Sequence, residues 1–423
     1  MYKVRSLRLL SGLLASIILL GSLVTPRAYG ELKLYIVAIT MILALKFLIV
    51  NKKSNVKIKS PIIFFSFYIF VNLVGLIIGA AENGFSQAIY DGFRLGVIFP
   101  VIIAILWTYL ANFNFYVYFH KLIMLAAAAV SLILMISTFP EFGLPKLLAD
   151  SFLDANLLVV GVHDGYVQIL AHSVGSLFFI FGYLIYFATN DPNFRKSYSG
   201  MLVLALTFFG AMLSGRRALQ FIVFLSPVLV ILIGWLFGIR RSNLRYILFS
   251  WLLFCLIAII IFAYFFANEY LNYDSFLARF SEVLNDDDGV RVSQASELIK
   301  GFSQNPIFGS GIGGTVQVIR NFERPWVYEL TYHQMIFNFG LFGISILVII
   351  FANCFYRIRS NVSHGVIYPI QLQAMTCGIS FLMIGAISNP YLGSFDFLVW
   401  IGILPFASDK TWKKTKIVNQ NAR

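Results

Sequence analysis

The chain has 423 residues, 59% of them hydrophobic and 12% charged, with a mean hydropathy of +0.82. Soluble domains carry about 25% charged residues, so a soluble fold is excluded and the long apolar runs read as a polytopic membrane protein. The net charge of +13 need not mean nucleic acid if it is spread unevenly over loops, and Cys255, Cys354 and Cys377, in or beside apolar runs without CxxC spacing, suggest neither a disulfide framework nor a zinc site.

About twenty apolar residues cross a bilayer as a helix. Twelve such runs follow one another, at roughly 9–25, 32–50, 61–80, 95–111, 121–139, 169–189, 200–214, 218–238, 246–267, 327–350, 367–387 and 395–408. The first is read as a span rather than a signal peptide, since "AYGE" only loosely resembles a small-residue cleavage site. No internal repeat or low-complexity segment appears. The expected fold is therefore an all-α polytopic membrane protein: one domain over 1–423, with a single large loop at 268–326.

Charge assigns the loops to sides. Alternate loops, from "MYKVRSLR" through "NKKSNVKIKS", "NFRKS", "IRRSNLR" and "YRIRS" to "DKTWKKTK", together with Lys121 and Arg423, hold 20 Lys/Arg against two acids, Asp191 and Asp409. The other loops hold 11 Lys/Arg and 17 Asp/Glu, while Lys46 sits within the second run and can snorkel. The positive-inside rule places the first set, and both termini, in the cytoplasm.

Against that rule, "MLSGRRAL" puts Arg216 and Arg217 on the outer side, in a connector so short that both lie at membrane depth. Charges there cost several kcal/mol unless paired or facing a watery cavity. One reading is a tight turn with arginines snorkelling to headgroups. The other is an anion site, because guanidinium forks bind phosphate bidentately.

The large loop begins with "DSFLARFSEVLNDDDG", in which Arg279 lies on an amphipathic stretch. Asp286, Asp287 and Asp288 lack the alternating spacing of a calcium loop. "VRVSQASELIKGF" has helical periodicity, with Arg291 at its start. A cation there opposes the helix dipole, which suggests an anionic partner. "NPIFGSGIGG" follows, and its Gly309, Gly311 and Gly313 allow the backbone to approach something closely. No Lys-Ser/Thr follows, so it is not a nucleotide P-loop. In "VYELTYHQMIFNFGLFG", Glu329 and His333 are four apart, so on a helix they share a face and form a candidate general-base pair. Late in the chain, "SNPYLGSFDF" makes a rigid outer turn above Asp396.

The order of these motifs resembles the bacterial O-antigen ligase/polymerase superfamily: Ser-Gly-x-Arg at a short outer turn, a large loop with an Arg-led helix, "NPIFGSGIG", a helix ending "GLFG", then "NPYL". The resemblance is strongest over 205–395. It implies a membrane glycosyltransferase of the GT-C type in the bacterial cytoplasmic (inner) membrane. The donor would be a saccharide on undecaprenyl diphosphate, used at the outer face, with no metal, nucleotide or other cofactor. The motif match implies that Arg217 and Arg291 bind the diphosphate, with Arg216 and Arg279 as helpers, and that a flippase and a chain-length regulator are partners.

One departure sorts the branches. Counting back from Gly340 and Gly343 puts Glu329 where the ligase branch has its histidine, with His333 one turn later. That favours a polymerase of O-antigen or capsule repeat units, with Glu329, coupled to His333, as base. The alternative is the ligase, which transfers polymer to the lipid core of lipopolysaccharide. A transporter is the third reading, but it would show repeats and midplane polar residues.

Overall fold

The computed structural model describes residues 2–26, 29–50, 59–111, 116–138, 158–163, 166–171, 173–214, 216–236, 251–252, 256, 289–319, 322–363, 370–387 and 389–409. The first half holds α1 (Tyr2–Val24), α2 (Gly30–Val50), α3 (Lys59–Asn83), α4 (Gln87–Phe93), a π-helical stretch Arg94–Ile98, α5 (Phe99–Ala111) and α6 (Tyr116–Thr138). Strands β1 (Leu158–His163) and β2 (Tyr166–Ala171) come next, then α7 (Val174–Asn190), α8 (Pro192–Lys196), α9 (Tyr198–Leu213) and α10 (Arg217–Leu236). The last third holds α11 (Gly289–Gln304), α12 (Thr331–Ser363), α13 (Ile370–Gly385), α14 (Phe395–Ile401) and α15 (Leu404–Ala407).

Among the described residues, six stretches are long and apolar enough to cross a membrane: Gly30–Ile49, Lys59–Asn83, Gln87–Ala111, Tyr118–Ile136, Ala218–Leu236 and Thr331–Asn361. The chain is thus built as a multi-pass membrane protein. Five shorter apolar helices, Leu10–Val24, Val174–Asn190, Tyr198–Leu213, Ile370–Gly385 and Phe395–Ala407, coincide with further runs of the sequence. The ninth run, 246–267, lies outside the described residues except at 251, 252 and 256.

The described residues are overwhelmingly helical, as expected, with one local exception. "LVVGVH" and "YVQILA" pair as an antiparallel hairpin, with Leu158 opposite Ala171 and His163 opposite Tyr166. Both segments are rich in the β-branched and aromatic residues that favour strands, and they are too short for a span.

The core centres on α7. All its residues except Ala188 and Asn190 are buried, as befits a helix that is apolar all round. It lies tightly against α13: a Cβ on Gly378 would come within 2.6 Å of the Phe179 carbonyl oxygen. Small residues permit this approach, the usual means by which helices associate in lipid. Trp400 of α14 closes the core from a third side, donating its indole N–H to Ser22 at 2.8 Å and meeting the Phe179 ring at 4.9 Å.

Cross-element contacts respect the charge-derived sides. Lys33 pairs with Asp396, Arg291 with Glu329, and Thr331 with the Asn389 carbonyl, all from the acidic loop set. Arg357 donates to Ser60, and Asn361 to the Ser408 carbonyl, both from the basic set. The molecule therefore has a loop end and a basic end.

Candidate functional site

The loop end is organised by a break in α12. Gly340 has φ 59° and ψ −170°, so α12 is two helices, a half-helix from Thr331 to Phe339 and a longer one beyond. A broken helix leaves backbone donors and acceptors unpaired, which membrane depth tolerates only if protein supplies partners. The glycine loop supplies them. Ser310 N–H donates to Phe337 O (2.8 Å) and Gly311 N–H to Asn338 O (3.1 Å), while Leu341 and Phe342 N–H donate back to Pro306 O and Ile307 O, each at 2.9 Å. Ile312 N–H reaches across to Gly75 O of α3 at 2.8 Å.

This answers what the glycines let the backbone approach. Gly309, Gly311 and Gly313 have φ of +75°, +74° and +96°. A Cβ at Gly309 would lie 2.6 Å from backbone atoms of Asn338 and Gly340, and one at Gly311 would lie 2.2 Å from Gly79 N. The loop positions protein against protein. The amides of 309 to 312 already donate to backbone carbonyls, so none is left to cradle a phosphate.

Beside the break, α11 runs along the half-helix. Leu298 is buried with Tyr328, Leu330 and Phe337, and Gly301 lies against the Phe337 ring. At the start of this seam, Arg291 Nε donates to Glu329 Oε2 at 3.0 Å. The anionic partner anticipated for Arg291 is thus Glu329. Their side chains are 34% and 35% exposed, so the pair is reachable from solvent.

One premise about Glu329 is corrected. Helix α12 begins at Thr331, with Gln334 N–H bonded to Leu330 O, so Glu329 precedes the helix. It does not share a helical face with His333. Thr331 instead donates to Asn389 O (2.8 Å) and Tyr332 to Met383 O (2.6 Å), which turns this segment toward α13 and swings Glu329 to α11. His333 is half-buried, and its Nδ1 is enclosed without a hydrogen-bond partner.

The arginine turn is described on either side of Gly215, and of Arg217 only the backbone is described. Ser214 caps α9, and Arg216 O accepts from Leu219 and Gln220 N–H, so Arg216 caps α10 and Arg217 is its first residue. Gln220 reaches back to Met212 O at 2.8 Å and ties the start of α10 to the end of α9. Arg216 is half-buried, with its Nε enclosed and unpartnered, which does not fit a side chain simply snorkelling to water. Arg279 lies outside the described residues.

Sequence reasoning passed over Arg94. It sits in the π-helical stretch, 3.6 Å from Asp91, with its guanidinium carbon 5.7 Å from the Phe99 ring centre and its Nε buried without a partner. The signal was present, since an arginine opening an apolar run on the acidic side breaks the charge rule as Arg216 does. Lys33 is a further cation at this end, bound to Asp396 at 3.1 Å.

No protein-family model matches this chain, and no curated protein matches it in sequence. The functional reading therefore rests on the motifs and on this geometry.

Proposed function

We propose that the chain is a membrane glycosyltransferase that polymerises O-antigen or capsule repeat units at the outer face of a bacterial cytoplasmic membrane. About twelve spans place both termini in the cytoplasm. The observation that carries this reading is the meeting of Arg291 and Glu329, 38 residues apart in sequence, at 3.0 Å and open to solvent. A cation for a leaving diphosphate and a carboxylate for a proton are the two groups the reaction needs.

The donor is a saccharide on undecaprenyl diphosphate. A sugar hydroxyl of the acceptor attacks the anomeric carbon, a new C–O bond forms, and the bond to the diphosphate breaks. Arg291, with Arg216 and Arg217 from the α10 turn, takes the charge of the leaving group. Glu329 takes the hydroxyl proton. In the resting state these two groups neutralise one another. A bound diphosphate competes for Arg291 and releases Glu329, so the base is freed when the donor is present.

The test is a glycan gel from a strain lacking the gene. Loss of the ladder, with one repeat unit left on the lipid core, is the expected result. Loss of all units, with polymer accumulating on undecaprenyl diphosphate, would instead mean a ligase. An unchanged ladder would overturn both.

A further inference from the structure

The seam between α11 and the half-helix contains polar groups that the mechanism above does not use. Gln294 is fully buried, yet both its amide nitrogen and its amide oxygen lack a hydrogen-bond partner. His333 Nδ1 is enclosed and unpartnered in the same way. Buried polar atoms are nearly always paired, so such orphans need an explanation.

Their placement follows from the contacts on either side. Arg291 meets Glu329 at one end of the seam, and Leu298 and Gly301 meet Phe337 at the other. The two helices therefore run side by side in the same direction. Helical spacing sets Gln294 on the α11 face that carries Arg291, Leu298 and Gly301. The same spacing sets His333 between Leu330 and Phe337, on the face turned toward α11. Both orphaned groups thus lie between the solvent-open ion pair and the apolar cluster.

We propose that Gln294 and His333 line the subsite for the first sugar of the donor. The proposal rests on reading Arg291 as a diphosphate ligand. That sugar is bonded directly to the diphosphate, so anchoring the diphosphate at Arg291 fixes where the ring lies. Three residues of helix advance about 4.5 Å, roughly the distance from a diphosphate to the ring it carries. A glutamine amide both donates and accepts, which matches a ring hydroxyl or an acetamido group. A neutral, hydroxyl-rich ligand satisfies Gln294 and His333 together without placing a charge among Leu298, Tyr328 and Phe337.

The experiment titrates the purified full chain in lipid nanodiscs with undecaprenyl diphosphate, bare or carrying one N-acetylglucosamine or one galactose. The wild type should bind at least one sugar-bearing lipid about tenfold more tightly than the bare lipid, the gain of one or two well-made hydrogen bonds. Gln294→Met should abolish that preference and leave bare-lipid affinity unchanged. Its melting temperature should hold or rise, because methionine fills the site without an unpaired amide. A variant that keeps the preference, or a wild type that binds bare lipid with no preference, overturns the sugar subsite and leaves the diphosphate reading intact. A wild type that binds no lipid overturns both. If Gln294→Met does not fold, Gln294→Leu and His333→Phe probe the seam from either side. Failure of all three to fold would mean the groups are structural and would also overturn the subsite.

Discussion

Two seams join the large loop to α12, and they are built on opposite rules. Where the glycine loop meets the Gly340 break, five backbone hydrogen bonds link loop, broken helix and α3. Where α11 meets the half-helix, an amide and an imidazole nitrogen are left unpaired beside a solvent-open ion pair. The backbone of the first seam is satisfied without a ligand, with only Asn338 Oδ1 enclosed and unpartnered there, whereas the second leaves three side-chain atoms of Gln294 and His333 unpaired beside an ion pair. The difference separates the scaffold from the site, although in sequence the glycines look more like a ligand loop than the helix does.

The comparison is broken most severely at the first seam. A Cβ on Gly79 would lie 2.0 Å from Ile312 O, and one on Gly311 would lie 2.2 Å from Gly79 N at a φ of +74°. Neither backbone can retreat without losing its own hydrogen bonds. Gly79→Ala and Gly311→Ala should each cost about 4 kcal/mol or more. Fluorescence-detected size exclusion should then show little folded protein. Wild-type recovery of Gly311→Ala would mean the loop is loosely seated.

A smaller loss is expected at Lys33 and Asp396, a pair at the same end but more enclosed, with side chains 19% and 8% exposed. Asp396→Asn strands the lysine charge, and breaking an enclosed pair costs about 3–5 kcal/mol. The double variant Lys33→Met/Asp396→Leu removes both charges and should melt close to wild type. If the double variant is the worse of the two, the pair is more than a staple and belongs with the site.

Six of the spans were legible because one rule, apolar length, fixes them, and the cross-element contacts named above join residues of the same charge-defined loop set. Arg291 and Glu329 could be named as candidates, since each is misplaced for its local context. Their partnership could not, because it depends on α12 starting at Thr331 rather than at the first apolar residue. Propensity sees no boundary there, and the side chains of Thr331 and Tyr332 create one by bonding α13 and its following turn. The hairpin was missed because two six-residue segments that are nearly apolar throughout do not stand out in a chain so apolar. Gln294 was missed because glutamine is unremarkable on an amphipathic helix until both of its amide atoms are seen to be enclosed.

The mildest structural change gives the sharpest separation of scaffold from site. Exposed ion pairs contribute only about 0.2–1 kcal/mol to stability, so Arg291→Ala should barely move the melting temperature while abolishing the glycan ladder. Arg291→Lys should also be impaired, because an ammonium cannot make the guanidinium's paired hydrogen bonds to a diphosphate. The charge swap Arg291→Glu/Glu329→Arg decides between the two roles. If the pair serves only to dock α11 on the half-helix, opposite charges still meet and the ladder returns. If Arg291 holds the leaving group and Glu329 takes the proton, the swap puts an acid where the diphosphate binds and a cation where the hydroxyl must lose its proton. The swapped protein would then fold like the wild type and remain inactive. A swapped enzyme that makes normal polymer would leave the ion pair as scaffold, and the orphaned groups behind it would lose their claim to a ligand through Arg291.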